Sequence, residues 1–203
     1  MSAPLDFLGG PSVITWPDIV LIFGGWIGLW VILLTRPRGE KGSERRRDRR
    51  STFGLVLQGV GFGIAWGFRR SLTVVSWSPQ PVTIARTAAI AALMGLSLLL
   101  VFAAVRHLGR QWSITARVLD GHRLVTDGPY AFVRHPIYTA MLGMLLATGL
   151  ALSHLPALLV GVVLYVLGTR IRIGAEEKLL RDSFGAEHEA YVRRVGAFIP
   201  RWG

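Results

Sequence analysis

Five long apolar runs dominate this 203-residue chain and leave little of it for a water-soluble domain. A transmembrane helix needs about 20 consecutive, mostly apolar residues. Hydrophobic residues make up 51% of the chain and charged residues only 17%, so a conventional soluble surface would be difficult to build. We therefore expect an all-α integral membrane protein with about five transmembrane helices. The runs cover residues 16–34, 53–68, 82–105, 138–152 and 155–169.

Lysine and arginine residues are distributed unevenly between the apolar runs. Residues 36–50 carry eight of them, residues 106–137 carry five and residues 170–203 carry seven, whereas the alternate connections carry only three. Cytoplasmic loops of membrane proteins are enriched in Lys and Arg. The asymmetry predicts an N-terminus outside the cell and a C-terminus in the cytoplasm. The formal net charge of +11 then reflects topology and attraction to anionic lipids, and no nucleic-acid-binding module is recognisable.

Several kinds of reactive site are absent from the sequence. The chain has no cysteine, which excludes a disulfide framework, a thiolate metal site and a cysteine nucleophile. No Gly-x-Ser-x-Gly elbow or Walker-type loop occurs, and the histidines lack the paired spacing of a zinc helix, so no metal is expected. The first apolar run follows no positive charge and precedes no small-residue cleavage signature, so we expect it to be retained rather than removed as a signal peptide.

Two features of the apolar runs predict how the helices pack. Gly59, Gly63 and Gly67 recur at four-residue spacing, which places them on one helix face where a neighbouring backbone can approach closely. The fourth and fifth runs are separated only by a short turn around Ser153 and His154. We therefore expect these two runs to form a tight helical hairpin.

The first polar segment with potential chemistry lies between the third and fourth runs. Its Asp-Gly-Pro-Tyr sequence at residues 127–130 predicts a turn, because proline fixes its own φ and glycine permits unusual backbone angles. Pro136 suits the first turn of the next helix. Arg134 and His135 would then lie just before a helix N-terminus, where free amides and the helix dipole favour an anion. A turn followed by an ordinary helix has the same signature.

The second polar segment begins at Arg170, at the end of the fifth run. Arg172 and Glu176 are four residues apart, and Arg170 and Glu177 are seven apart, so each pair can share a helix face. Two surface ion pairs, each stabilising by under about 1 kcal/mol, would give this pattern. A functional interpretation requires carboxylates that hold an ammonium group and arginines that hold a carboxylate or phosphate. Adjacent glutamates point about 100° apart on a helix, so we expect only one to face a pocket squarely.

Together the two polar segments resemble the signatures of the isoprenylcysteine carboxyl methyltransferase family and of its phospholipid methyltransferase relatives. The first signature is similar to His-Arg-Leu-Val-Thr-Asp-Gly-Pro-Tyr at residues 122–130 and Val-Arg-His-Pro-Ile-Tyr at residues 133–138. The resemblance covers about half the chain, from residue 106 to 203. The first three runs resemble the family only in being apolar and carry none of its motifs. The second signature is carried by Glu176, Glu177, Leu180, Phe184, Gly185, Tyr191, Phe198, Ile199 and Pro200.

The resemblance implies a membrane methyltransferase that uses S-adenosylmethionine and has no Rossmann domain. Hydropathy and the distribution of Lys and Arg separately predict three N-terminal transmembrane helices in residues 1–105, with a basic cytosolic loop at 36–50. Residues 106–203 would form the methyltransferase region: a cytosolic loop, a hairpin at 138–169 and a C-terminal cap over the cofactor. A lipophilic methyl acceptor would enter from the bilayer. By motif position the cofactor-binding residues are Gln111, His122, Leu124, Gly128, Tyr130, His135, Pro136, Tyr138, Glu176 and Glu177.

The resemblance also implies which residues take part in catalysis or contact the substrate, but it does not identify the methyl acceptor. An ionised carboxylate on an isoprenylcysteine-like molecule needs only orientation, whereas a phospholipid amine or a small thiol must first lose a proton. An NADPH-dependent membrane reductase is another alternative, although such enzymes typically have more spans, and a non-catalytic membrane scaffold is a further one. The sequence gives no indication of the oligomeric state. The catalytic candidates are Arg134, Arg170, Arg172 and Glu176.

Overall fold

Six α-helices account for most of the described chain. The computed structural model describes residues 14–36, 44–47, 50–70, 74–75, 81–109, 117–119 and 123–200. The strands are β1 Ile14–Thr15, β2 Glu44–Arg47, β3 Val74–Val75 and β4 Arg117–Leu119, and a 3-10 helix covers Gly128–Ala131. The helices are α1 Trp16–Leu34, α2 Arg50–Gly67, α3 Pro81–Leu108, α4 Pro136–Leu152, α5 Leu155–Phe184 and α6 Ala186–Arg194.

Three of these helices, α1, α3 and α5, are long and apolar enough to cross a membrane. The helix α4 is also apolar, but it has only 17 residues. Large apolar side chains are exposed along the outer faces of α1, α2, α3 and α5, as at Ile27, Val56, Leu99 and Val163. A water-soluble protein would bury most of this surface, whereas lipid can cover it. Apart from two short strand pairs, the described residues therefore form an all-α membrane protein.

The helix α4 forms the centre of the bundle. More than half of its residues are buried, including Met144 and Ala147, which belong to one apolar cluster with Ile22 of α1 and with Ile90 and Val101 of α3. A helix that is apolar all round is typically buried, which agrees with the short length and central position of α4.

The loops segregate to two ends of the bundle. Strand β1 pairs in parallel with β3, which follows α2. The end of α2 also meets the turn between α4 and α5, where the amide of Arg70 donates to the Leu152 carbonyl (2.8 Å) and that of His154 to the Phe68 carbonyl (3.2 Å). At the other end, β2 precedes α2 and pairs antiparallel with β4, which follows α3. The helices α1 to α5 therefore alternate in direction.

Paired glycines hold α2 and α5 close together. A Cβ atom added at Gly61 would lie 2.6 Å from the carbonyl oxygen of Gly161, and one added at Gly54 would lie 2.6 Å from that of Gly168. Both members of each pair are glycine, and the pairs are seven residues apart on each helix. Two full turns of helix therefore place both pairs on one interface, where the backbones touch without side chains between them.

The glycine face predicted from Gly59, Gly63 and Gly67 is wrong. A Cβ atom added at any of these three positions would meet nothing within 4 Å. A four-residue spacing shows that glycines share a face but not which face meets a neighbour. The structure instead turns Gly54 and Gly61 toward α5.

The helix α5 is longer than its apolar run and packs mainly on α2 rather than on α4. It begins at Leu155, after the turn of Ser153 and His154, and continues 15 residues beyond Thr169 to Phe184. Hydropathy marks the apolar part of a helix and not its end, because a polar sequence without a breaking residue continues the helix. The break comes at Gly185, whose positive φ of 47° most residues avoid.

A buried ion pair links α1 and α3 at the end of the bundle that contains β1. The Asp18 carboxylate accepts hydrogen bonds from Arg86 Nη2 (2.7 Å), from Thr87 Oγ1 (2.8 Å) and from the Thr15 backbone amide (3.4 Å). Asp18 is completely buried. We refer to Asp18, Arg86 and Thr87 as the Asp18 cluster.

Candidate functional site

The turn before α4 has the conformation that its sequence predicts. Gly128 is the first residue of the 3-10 helix and has a φ of 57°. Glycine adopts this positive φ far more readily than a residue with a side chain. The His107 ring lies directly against Gly128, and Tyr191 Oη of α6 donates to the Tyr130 carbonyl (2.6 Å). The turn is therefore fixed from both α3 and α6.

The segment before α4 pairs with the C-terminal segment through backbone hydrogen bonds. The amide of Arg134 donates to the Gly196 carbonyl and the amide of His135 to the Ala197 carbonyl, each at 2.9 Å. Thr139 Oγ1 adds a bond to the Phe198 carbonyl (2.8 Å). The two polar segments, far apart in sequence, therefore form one structural unit. As predicted, Pro136 is the first residue of α4, and His135 immediately precedes the helix.

Both glutamates of α5 reach the imidazole of His135. His135 Nδ1 lies 3.3 Å from Glu176 Oε2, and His135 Nε2 lies 3.3 Å from Glu177 Oε1. The expectation that only one glutamate faces the site squarely is wrong, because the ring lies between the two carboxylates and contacts each through a different nitrogen. Two acceptors, one at each nitrogen, match an imidazole that carries both protons.

Tyr138 connects Glu176 to Arg172. Its hydroxyl donates to Glu176 Oε1 through a short hydrogen bond and accepts one from Arg172 Nε (2.7 Å). The Arg172 guanidinium also lies over the Tyr138 ring, 5.1 Å from its centroid, and Nη2 is 3.8 Å from Glu176 Oε1. Arg172 and Glu176 are therefore close together, as their four-residue spacing predicts, and the Tyr138 hydroxyl bridges them. The His135 ring stacks beside Tyr138 at 5.7 Å.

Arg134 joins α5 to the end of α6. Its Nε and Nη2 donate to Glu177 Oε1 at 2.9 and 2.6 Å, and its Nη1 donates to the Val192 and Val195 carbonyls. These carbonyls lie at the C-terminal end of α6, where a cation is favourable. The contacts engage four of the five N–H groups of the guanidinium. We refer to Arg134, His135, Tyr138, Arg172, Glu176 and Glu177 as the His135 cluster.

The electrostatic environment of the loop residues follows from burial and from the two carboxylates. Burial alone would lower the pKa of His135, but hydrogen bonds and charge from Glu176 and Glu177 outweigh it and raise the pKa above 6.5. Burial, aided by the Glu176 charge, raises the pKa of the Tyr130 hydroxyl. Burial also raises the pKa of Tyr191 to about 12, so both tyrosines stay protonated near neutral pH.

The predicted site residues fall into three groups in the structure. His135, Tyr138, Glu176, Glu177, Arg134 and Arg172 form the cluster, and Pro136 starts the helix that carries Tyr138. Leu124, Gly128 and Tyr130 lie in the adjoining segment, where Val125 packs with Tyr130 against Ala104 of α3. Arg170 is exposed, and Glu177 pairs with Arg134 rather than with Arg170. Gln111 and His122 lie outside the described residues.

Three residues that support the site were not among the predicted ones. Tyr165 of α5 is buried and donates to the Tyr138 carbonyl (2.8 Å), Tyr191 holds the Tyr130 carbonyl, and His107 packs on Gly128. A lone tyrosine within an apolar run, such as Tyr165, was the available signal, because a buried hydroxyl requires a partner. Within the described ranges no group of three His, Asp or Glu residues is placed to hold a metal ion.

Comparison with known proteins finds matches in this same part of the chain. The model of the isoprenylcysteine carboxyl methyltransferase (ICMT) family matches residues 89–182, which include α4 and most of α5. A "Protein-S-isoprenylcysteine O-methyltransferase" of Schizosaccharomyces pombe is 40% identical over 80 residues, covering 39% of this chain and 34% of that protein. The resemblance to the family predicted from the two signatures is confirmed.

Of two further relatives, one is named as a methyltransferase and the other as a metal resistance protein. A "Probable protein-S-isoprenylcysteine O-methyltransferase" of Oryza sativa subsp. indica is 31% identical over 115 residues, covering 53% of this chain and 60% of that protein. A "Cobalt-zinc-cadmium resistance protein CzcN" of Cupriavidus metallidurans is 34% identical over 96 residues, covering 46% of this chain and 43% of that protein. The chain thus spans less than two thirds of the length of these relatives.

Proposed function

We propose that this chain is an integral-membrane, S-adenosylmethionine-dependent methyltransferase that methylates a carboxylate of a lipophilic, isoprenylcysteine-like acceptor. The convergence of two distant segments on the His135 cluster is the observation that carries the proposal. Both segments carry the family signatures, and His135, Tyr138, Glu176 and Glu177 lie within the residues that match the family. Amine or thiol acceptors stay alternatives, and no observation favours a reductase or a scaffold.

In the proposed topology the five helices α1 to α5 cross the membrane, with the N-terminus outside. The end that carries β2, β4 and the His135 cluster then faces the cytoplasm. This orientation places the basic connections at 36–50 and 106–137 on the cytoplasmic side, together with the segment that follows α5. The alternating direction of the helices supports the five crossings, because strand pairs join connections that fall on the same side.

The chemical groups in the cluster suit the parts of S-adenosylmethionine. Glu176 and Glu177 are partly exposed, with 23% and 17% of their side chains accessible, so both carboxylates can be reached by an ammonium group. Gly128 has no side chain of its own at this turn, where the His107 ring packs against it. Gln111, His122, Leu124, Tyr130 and Pro136 complete the proposed cofactor site.

The protein has to align the acceptor rather than activate it. When bound, the cofactor supplies a methyl group already activated by its sulfonium. An acceptor carboxylate is ionised at neutral pH, so the chain needs an arginine to orient it and no general base. We assign this role to Arg172, with exposed Arg170 guiding the acceptor's approach. Arg134 has one N–H group left after its contacts with Glu177 and α6, so we assign it chiefly to positioning Glu177. Glu176, hydrogen-bonded to Tyr138, would position Arg172.

A methyl-transfer assay with matched acceptors tests this function. Purified protein in detergent receives S-adenosylmethionine with a labelled methyl group and one of three acceptors that carry the same prenyl chain. One acceptor ends in a cysteine carboxylate, one in an amine and one in a free thiol. The proposal predicts base-labile label, as expected for a methyl ester, only with the carboxylate. Label on the amine or the thiol alone would assign the alternative acceptor, and no transfer to any of the three would contradict the proposed activity.

A further inference from the structure

A groove lies between the end of α5 and helix α6, next to the His135 cluster but distinct from it. Its volume is about 220 Å³. Val192 connects the two sites, because its side chain lines the groove while its carbonyl accepts a hydrogen bond from Arg134 (3.3 Å). The residues that line the groove are Arg181, His188, Glu189, Val192 and Arg193.

His188 is the unusual member of this groove. It is 1% exposed, and neither of its ring nitrogens has a hydrogen-bond partner among the residues that the structure describes. Leaving a buried polar group without a hydrogen-bond partner destabilises a protein, so an unpaired imidazole needs an explanation. A ligand that offers an acceptor would provide one, since a neutral imidazole always carries one N–H donor.

The charges around His188 determine which ligand suits the groove. Arg181 and Arg193 are both exposed and line the groove with their positive charges, against a single carboxylate from Glu189. Two guanidinium groups and an imidazole N–H supply donors for a compact anion. We propose that this groove binds an oxyanion, a carboxylate or phosphate group, through His188, Arg181 and Arg193. This proposal does not depend on the methyltransferase activity.

The position of the groove favours an anion on a soluble ligand over the phosphate of a lipid headgroup. Arg181 lies 11 residues beyond Arg170, which corresponds to about 16 Å along a helix at 1.5 Å per residue. The exposed apolar residues of α5 end at Leu167, before Arg170. The groove is therefore well separated from the surface that lipid tails would cover.

Nitrogen-15 NMR of histidine-labelled protein in neutral detergent tests the proposal. Inorganic phosphate and, separately, acetate are titrated at constant ionic strength, with chloride as the reference anion. The His188 signal, assigned by its loss in His188→Gln, should shift saturably with phosphate or acetate. Arg181→Gln combined with Arg193→Gln should weaken this binding by about tenfold or more, because charge-assisted hydrogen bonds are lost. Arg194→Gln, on the same helix but outside the groove, should not.

Two nanodisc samples test whether the anion comes from a lipid headgroup. Cofactor binding in the same samples tests the proposed function separately from anion binding. Nanodiscs of neutral lipid and of phosphatidylglycerol show whether a headgroup shifts the His188 signal. A response to phosphatidylglycerol alone would support oxyanion binding and name the headgroup as its source. No saturable response to any of these anions, or an equal response in the double variant, would overturn the proposal. Binding of S-adenosylhomocysteine in the same samples reports on the proposed function independently.

Discussion

The Asp18 cluster and the His135 cluster are both built from charged groups, but they differ in how completely those groups are enclosed. Asp18 is fully buried, and Arg86, Thr87 and a backbone amide all donate to it. In the His135 cluster two carboxylates share their partners, and each keeps about a fifth of its side chain exposed. A closed ion pair holds helices in place, whereas a shared and partly open one can exchange a partner for a ligand. We therefore expect the Asp18 cluster to stabilise the fold and the His135 cluster to bind a ligand.

The largest effect is expected from Asp18→Ala. Removing one partner of a buried ion pair typically costs about 3–5 kcal/mol, because the other charge stays buried without compensation. Arg86 would be that charge here, and because its side chain is 17% exposed we expect a loss at the lower end of this range. Denaturation of the purified protein should show a loss of stability of this size, with affinity for S-adenosylhomocysteine unchanged in the folded fraction. A variant of wild-type stability would show that Asp18 does not link α1 and α3.

His135→Ala should act in the opposite way, weakening cofactor binding with a smaller effect on stability. Without the ring, the carboxylates of Glu176 and Glu177 lose the group that positions both of them. We expect S-adenosylhomocysteine to bind about tenfold or more weakly by calorimetry, the scale of one lost charge-assisted hydrogen bond. His154→Ala is the matched control, since His154 is exposed at the other end of the bundle. Equal affinities in both variants would remove His135 from the site.

The raised pKa of His135 gives the protein a pH-dependent stability. Because the folded state holds this proton more tightly, the imidazolium contributes stability below the ordinary pKa of 6.5, and the contribution disappears as pH rises through the raised value. Unfolding midpoints measured from pH 6 upward should fall more in wild type than in His135→Gln. Parallel curves would mean that His135 is not protonated in the fold.

The smallest effect is expected from Thr87→Val, which preserves the shape of the side chain and removes one hydrogen bond to Asp18. Arg86 and the Thr15 amide still donate to the carboxylate, so the loss should be about 1 kcal/mol. The measurement is the same denaturation series used for Asp18→Ala. A loss as large as that of Asp18→Ala would mean that Thr87, rather than Arg86, holds the carboxylate.

Local signals in the sequence predict the helix starts and the turn before α4 well. Pro136 begins α4 and Gly128 adopts a positive φ, because each residue type restricts or permits particular backbone angles. Hydropathy also finds α1 with its observed limits, Trp16–Leu34. It misses the last 15 residues of α5, because charged side chains are frequent in this part of the helix.

The relations that depend on tertiary packing could not be predicted from spacing. Which glycines face α5 depends on the rotation of α2, and the sequence offers several equally spaced sets. Similarly, the pairing of Glu177 with Arg134 depends on how the loop before α4 docks against α5, whereas helix spacing alone suggested Arg170. The family signatures did predict that the two segments meet, but not that both glutamates contact one imidazole.

The central claim is that the carboxylates of the His135 cluster hold the cofactor. Calorimetric titration of S-adenosylhomocysteine into wild type and into the double variant Glu176→Gln, Glu177→Gln tests it most directly. Asp18→Asn, which removes one carboxylate charge at the other end of the bundle, is the control. The account predicts one bound molecule per chain in wild type and in the folded fraction of the control, and binding weakened at least tenfold in the double variant. Wild-type affinity in a correctly folded double variant would contradict the claim.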